Sequence, residues 1–334
     1  MIKSEIIADS VNLHGNRLTT FILEYPRFVH SEFMTHRMFS KNAASSRAIP
    51  FEKFVQQIKD NPAMPEYWGK NQSGMQAAEE LDDISAIYSE GDISIGLYST
   101  SIPISYTAKE YAKIKWLDAR DKAIEQATLL NQLGLHKQIV NRILEPWFHI
   151  RVICSATEYE NFFALRAHKD AQPEIQVLAE MMLENYNNST PKKLKAGEWH
   201  IPFGDEMDEF RVKEVAASVN PPPDVLDYAI EIVKKKVAVA RCARVSYHNY
   251  EGKDDYFADV KLCDRLFGTI PKHLSPAEHV AEAMDNNDFI GNFRGFKQYR
   301  KHFLDENLSD NRVTKSLWLK IPHASNTHFK RIIK

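Results

Sequence analysis

A chain of 334 residues that is 43% hydrophobic and 11% aromatic can build a real core, which excludes a disordered polymer. At roughly 100 to 200 residues per domain, one large domain or two modest ones fit. A net charge of −2 gives no chain-wide basic field, so nucleic acid is not the expected partner and any anion site must be local.

No apolar run approaches the roughly 20 residues that cross a bilayer, and MIKSEIIADS lacks the basic-then-apolar order of a signal peptide. No membrane association and a cytoplasmic location are therefore expected. Cys154, Cys242 and Cys263 are far apart with no C-x-x-C spacing, so they read as reduced thiols, and no metal site is expected.

In chain order, RLTTFILEY at 17–25 predicts a strand, and Pro26 opens a predicted helix through Phe39. Val29, Phe33, His36 and Ser40 recur there at helical spacing. NAASSRAIP follows as loop. From 51 to 106 the pattern is weak, broken by Pro62, Pro65 and GKNQSGMQ, and irregular structure is expected. Thr107 and Glu110 have capping-box spacing ahead of Tyr111, Ile114, Leu117, Ile124 and Ala127, predicting a helix of about 25 residues.

A further helix from about Leu135 is expected to stop at Pro146. FHIRVICSA predicts a strand, Thr157 and Glu160 repeat the capping-box spacing before a helix through Arg166, and Pro173 begins another. NPPPD at 220–224 marks a boundary between 1–220 and 221–334, two parts expected to intertwine in one catalytic domain. Asp224–Ala240 and 254–267 predict helices, with VKKKV at 233–237 as a solvated face.

The densest chemistry lies in FVHSEFMTHRMFSKNAASSRAIP, residues 28–50. His36 shares the inward face of Val29 and Phe33, Arg37 sits beside it, and Asn42, Ser45, Ser46 and Arg47 occupy a loop of small residues. Backbone N–H groups approach an anion there, and an arginine binds phosphate bidentately. The twelve glycines never form G-x-G, so neither a dinucleotide fingerprint nor a P-loop is present, and a bound nucleotide needs another cradle.

HRMFSKNAASSR resembles the signature R-H-R-x-x-S-x-N-x-x-S-x-R of the flavin-dependent thymidylate synthases. Six of the seven fixed residues match: His36, Arg37, Ser40, Asn42, Ser45 and Arg47, with Thr35 replacing the first arginine. NRILEPW at 141–147 and ENFFALRAHKDAQPEIQ at 160–176 are similar to that family's R-I-x-x-P and N-F-L-x-L-R-x-x-x-x-A-Q-x-E-I region. CARVSY at 242–247 and HLSPAEHV at 273–280 resemble an A-R-V-S-[FY] and an H-x-[ST]-P-x-E-H that ordinarily precede the histidine signature; here they follow it, a permuted order associated with phage-encoded members. GNFRGFKQYRK at 291–301 stands where FVHSEFMTHR would if the family order continued, with Phe293, Tyr299 and Arg300 echoing Phe28, His36 and Arg37; an exposed basic helix accounts for it equally well.

The resemblance implies an α+β fold in which a twisted antiparallel sheet packs with long helices, and a homotetramer with sites at subunit interfaces. It implies conversion of dUMP to dTMP with FAD as cofactor, methylenetetrahydrofolate as carbon donor and NADPH as reductant. Ser45, Ser46, Arg47, Arg142 and Arg166 would hold dUMP, and His36, Arg37, Asn42, Asn161, Ser246, His273, Ser275 and Glu278 would surround flavin and folate. Arg166, His36 and Arg37 would take the catalytic roles, and no cysteine nucleophile is needed. Thr35 leaves room for a changed reaction, a pyrimidine hydroxymethylase or a UMP methylase; the alternative from another class is a flavin-free, non-catalytic nucleotide-binding or structural homologue that keeps the fold.

Overall fold

The computed structural model describes residues 1–81, 106–245, 254–304 and 306 in full, and only the backbone of 86–95, 98–105, 246, 317–322 and 327–332. It opens with β1 (Lys3–Val11), a strand not read from the sequence, which turns back through Asn12–Asn16 into β2 (Arg17–Pro26). After a 3-10 turn at Arg27–Val29 comes α1 (His30–Met34), then β3 (Ser40–Ala43) and α2 (Phe51–Asp60).

The predicted helix from Pro26 to Phe39 is thus cut short. Lys41 explains the break: its Nζ donates to the carbonyl oxygens of His36 at 2.6 Å, Met34 at 3.3 Å and Phe33 at 3.4 Å, while Thr35 Oγ1 donates to the Glu32 carbonyl at 2.6 Å. These bonds satisfy the open carbonyl end, and residues 40–43 are then captured by a sheet. The expectation of irregular chain after 51 also fails at α2, whose Phe51, Phe54 and Ile58 recur on one buried face.

The hairpin of β4 (Ala86–Ile95) and β5 (Tyr98–Thr107) leads into α3 (Ala108–Gln132), where the Thr107–Glu110 capping box is formed. The helix expected from Leu135 is only α4 (Lys137–Val140), tightening into a 3-10 run over Asn141–Trp147 that carries Pro146. β6 (His149–Ala156) and α5 (Glu160–Arg166) follow. Thr157 does not cap α5: Tyr159 stands at its N-cap without a side-chain capping bond, and Thr157 Oγ1 accepts the Arg294 backbone N–H at 2.9 Å.

α6 (Pro173–Asn188) begins at its proline, followed by β7 (Lys192–Lys193) and β8 (Trp199–His200). α7 (Glu209–Ala217), unread in the sequence, is capped by the Asp208 carboxylate. The prolines at 221–223 lead into α8 (Leu226–Ser246), and α9 (Tyr256–Phe267) follows. The remaining strands are β9 (Ala281–Ala283), β10 (Phe289–Ile290), β11 (Phe293–Arg294), β12 (Phe296–Gln298) and the hairpin of β13 (Leu317–Pro322) and β14 (Thr327–Ile332).

The main sheet has the order β3–β6–β2–β1–β7, antiparallel except for the β1–β7 pair, so the architecture is α+β. Side chains alternate across it. Phe21, Leu23, Tyr25, Val152 and Cys154 point into the larger core with Ile175 and Leu178 of α6, whereas Ile22 and Ile153 meet Cys242 and Val245 of α8 on the opposite face. A third cluster joins Leu18 and Leu194 to Ala281, Phe293 and Phe296. Residues on both sides of position 220 therefore share cores. No helix among the described residues is long and apolar enough to cross a membrane.

Candidate active site

His36 lies in the turn between α1 and β3, half-buried, with the Phe162 ring edge-on at 4.9 Å and the Phe39 ring stacked at 5.8 Å. Arg166, the last residue of α5, donates from Nε to His36 Nε2 at 3.1 Å. An acceptor at Nε2 means that the ring hydrogen sits on Nδ1. Burial first, then the Arg166 and Lys41 cations, pulls the His36 pKa down to about 4, so the ring is neutral near pH 7. Arg37, next along the turn, is exposed.

The fold thereby unites the histidine signature with the second motif block. Phe162, one residue after Asn161, packs on His36, and Asn161 is exposed on the first turn of α5. Asn42 is buried in β3, opposite Ile153 of β6.

Ser45, Ser46 and Arg47 occupy the far end of β3. Ser46 Oγ donates to Glu145 Oε1 at 2.5 Å, the same oxygen that pairs with Arg142 Nη1 at 3.2 Å. Asn141 Nδ2 ties the 3-10 run back to the carbonyls of Ser46 at 2.8 Å and Ile49 at 3.1 Å. Arg47 and Arg142 are exposed, with Arg47 Nε 3.4 Å from Ser45 Oγ. From Ser40 to Ser45 the chain is extended, which separates this group from the Ser40 end by about 16 Å. Among the described residues no hydrogen bond or ion pair joins Arg166 to Arg142 or Ser46 within the chain.

HLSPAEHV returns to the His36 end of β3. Gln298 Nε2 donates to Ser40 Oγ at 2.8 Å and to the Glu278 carbonyl at 3.2 Å, binding the 3-10 turn Ser275–Glu278 to the histidine signature. The Glu278 carboxylate pairs with Arg300. His273 and Ser275 are exposed, and the His273 backbone N–H donates to the Leu266 carbonyl at 3.0 Å. Ser246 closes α8, a helix that packs on β3 and β6; its side chain lies outside the described residues. Arg244 is committed to the buried Asp259 carboxylate at 2.7 Å.

Behind the site runs a buried polar chain. Ser10 Oγ meets His200 Nδ1 at 2.9 Å, His200 Nε2 meets Thr20 Oγ1 at 2.8 Å, Thr20 Oγ1 meets Ser155 Oγ at 2.6 Å, and Ser155 Oγ meets His279 Nδ1 at 2.8 Å. Burial pulls both histidines down to about 3 and keeps them neutral. All three thiols are buried and pushed up, Cys154 and Cys263 to about 12, so none supplies a thiolate near neutral pH.

Sequence reading missed Lys41, Asn292, Gln298 and Arg300 as supports. Only the placement of GNFRGFKQYRK opposite the signature segment pointed toward the last three. The exposed guanidinium groups of Arg37 and Arg47, which meet no carboxylate among the described residues, fit a phosphate-bearing nucleotide.

The family model described as thymidylate synthase complementing protein, Thy1, matches residues 17–192, just over half the chain. The match ends before CARVSY and HLSPAEHV. No curated protein sequence matches. Thymidylate Synthase X from Helicobacter pylori, solved with FAD and dUMP, is 12% identical with a TM-score of 0.33, over 51% of this chain and 67% of its own. A UMP/dUMP methylase, PolB, from Streptomyces cacaoi bound with 5-Br UMP is 18% identical with a TM-score of 0.35, over 56% of this chain and 88% of its own.

Proposed function

Because the chain belongs to the Thy1 family, the flavin-dependent thymidylate synthases, we propose that it converts dUMP to dTMP with FAD as cofactor, methylenetetrahydrofolate as carbon donor and NADPH as reductant. The observation that carries this reading is the Arg166–His36 bond, which joins two motif blocks 130 residues apart in the chain. FAD, once bound and reduced by NADPH, would supply the hydride that completes the methyl group.

The chain's own residues position and stabilise. Burial, with the Arg166 and Lys41 cations, keeps His36 neutral, and the Arg166 bond leaves its hydrogen at Nδ1, so His36 is a hydrogen-bond donor to a bound ring and not a cation. Arg47 and Arg142 carry the charge for the nucleotide phosphate, with Ser45 and Ser46 beside them, and Arg166 faces negative charge developing on the uracil. Arg37, Asn42, Asn161, Ser246, His273, Ser275 and Glu278 are assigned to flavin and folate. Three protonated, buried thiols favour a route with no cysteine nucleophile.

The two arginine groups at opposite ends of β3 suit sites completed between subunits, so a homotetramer belongs to this reading. So does the permuted order, since HLSPAEHV approaches Ser40 from the C-terminal side of the chain. Titration with FAD followed by product analysis tests the function. A flavin-bound protein yielding dTMP only with methylenetetrahydrofolate and NADPH is expected; hydroxymethyl-dUMP, preferred methylation of UMP, or rejection of FAD would each overturn the corresponding part.

A further inference from the structure

We propose that Asn292 and Gln298 are positioning residues that clamp the turn presenting His36 and Arg37, making 291–300 a brace for the site. This rests on the reading above that the turn meets a flavin nucleotide. Asn292 Nδ2 donates to the Met38 carbonyl at 2.9 Å and to Ser40 Oγ at 3.1 Å. Gln298, almost fully buried, donates to the same Ser40 oxygen and to the Glu278 carbonyl. Two side chains from one short segment thus converge on the residue that ends the turn.

The same segment grips the other motif blocks. The Arg294 backbone N–H donates to Thr157 Oγ1, and its Nε to Glu158 Oε1 at 2.9 Å, fixing the turn ahead of α5, the helix of Asn161 and Arg166. Arg300 holds the Glu278 carboxylate. Local backbone chemistry serves this geometry: Gly291 has φ +75°, and a Cβ there would stand 3.1 Å from Gln298 Oε1. Short β11 and β12, with Phe293 and Phe296 fully buried, anchor the segment in the core so that its polar side chains are held against the turn.

From within the signature segment the turn is held by the Lys41 ammonium, the Thr35 hydroxyl and the backbone bonds of Thr35 to Glu32 and His36 to Phe33. With a threonine where the family has arginine, bonds from outside the signature add to these: Arg166 holds the His36 ring, and the brace holds the turn at Met38 and Ser40.

The test uses the full chain. Asn292→Ala, at a half-buried position, and Gln298→Met, which keeps volume but loses both donors, should each weaken FAD binding about fivefold to tenfold. Both should also speed amide hydrogen exchange at residues 36–40. Because Ser40 Oγ is the shared acceptor, Ser40→Ala combined with either variant should lose less FAD affinity than the sum of the single losses. A purely structural role would lower stability and give additive losses. Unchanged FAD affinity and exchange in a folded Asn292→Ala protein overturns the clamp, as do additive losses; should Gln298→Met fail to fold, Asn292→Ala decides alone. Failure of the unaltered protein to bind FAD overturns the functional reading instead, and shows before any variant is made.

Discussion

Arg166 spends its Nε hydrogen on His36, and among the described residues its terminal nitrogens meet no protein acceptor. Removing it changes two things. Arg166→Ala should weaken dUMP binding at least about tenfold, the loss expected for one charge-assisted bond, while FAD stays bound; equilibrium titration of each ligand checks this. The same substitution removes a cation that depresses His36, so its pKa should rise from about 4 toward the ordinary histidine range, readable by NMR titration of the ring. An unmoved His36 titration would mean burial alone sets the value. Both residues were legible in the sequence because each sits in a motif. Their hydrogen bond was not, since it depends on α5 packing beside the His36 turn. The substitution at Thr35 was legible too; the cations Lys41 and Arg244 are committed elsewhere, Lys41 to backbone carbonyls and Arg244 to Asp259.

At the scale of elements, the reading of strands β2 and β6 and helices α3, α6 and α9 succeeded where a long periodic run or a capping box dominated. It failed where side chains reached across the chain. The Pro26–Phe39 pattern is helical in spacing, yet one lysine from the following strand gathers the carbonyls and ends the helix at Met34. Lys41→Met should therefore cost about 1.5 to 3 kcal/mol, the range for bonds to a charged group, and Lys41→Arg should recover part of it. Urea unfolding curves measure both; a midpoint unchanged in Lys41→Met would remove the lysine from this role. Thr157 illustrates the converse error: its spacing to Glu160 fits a cap, but its hydroxyl serves Arg294, 137 residues away.

At the scale of the whole molecule, six histidines among the described residues are held neutral by burial: His30, His36, His149 and His302 near 4, and His200 and His279 near 3. In the unfolded chain they take up protons near pH 6.5, whereas the folded protein resists until lower pH. The unfolded state thus binds more protons below about pH 6.5, so stability is fully present above that value and falls as pH drops toward about 4. Urea midpoints should decline between about pH 6.5 and 5, above the range where carboxylates titrate; a flat profile there would contradict the burial of these rings. Assembly is the other whole-molecule expectation. Light scattering should give a tetramer, and a fully active monomer would refute sites completed between subunits.

The buried chain from Ser10 through His279 also has a consequence in time. Its links span 190, 180, 135 and 124 residues of sequence, so no neighbouring stretch completes them. A ribosome adding roughly 5 to 20 residues per second exposes Ser155 about 6 to 25 s before His279 emerges. Through that interval one face of the central sheet waits, its hydroxyls bonded to water, for α8 and the HLSPAEHV turn. Synthesis of this protein therefore includes a period in which the half-covered sheet is open to the rest of the cell.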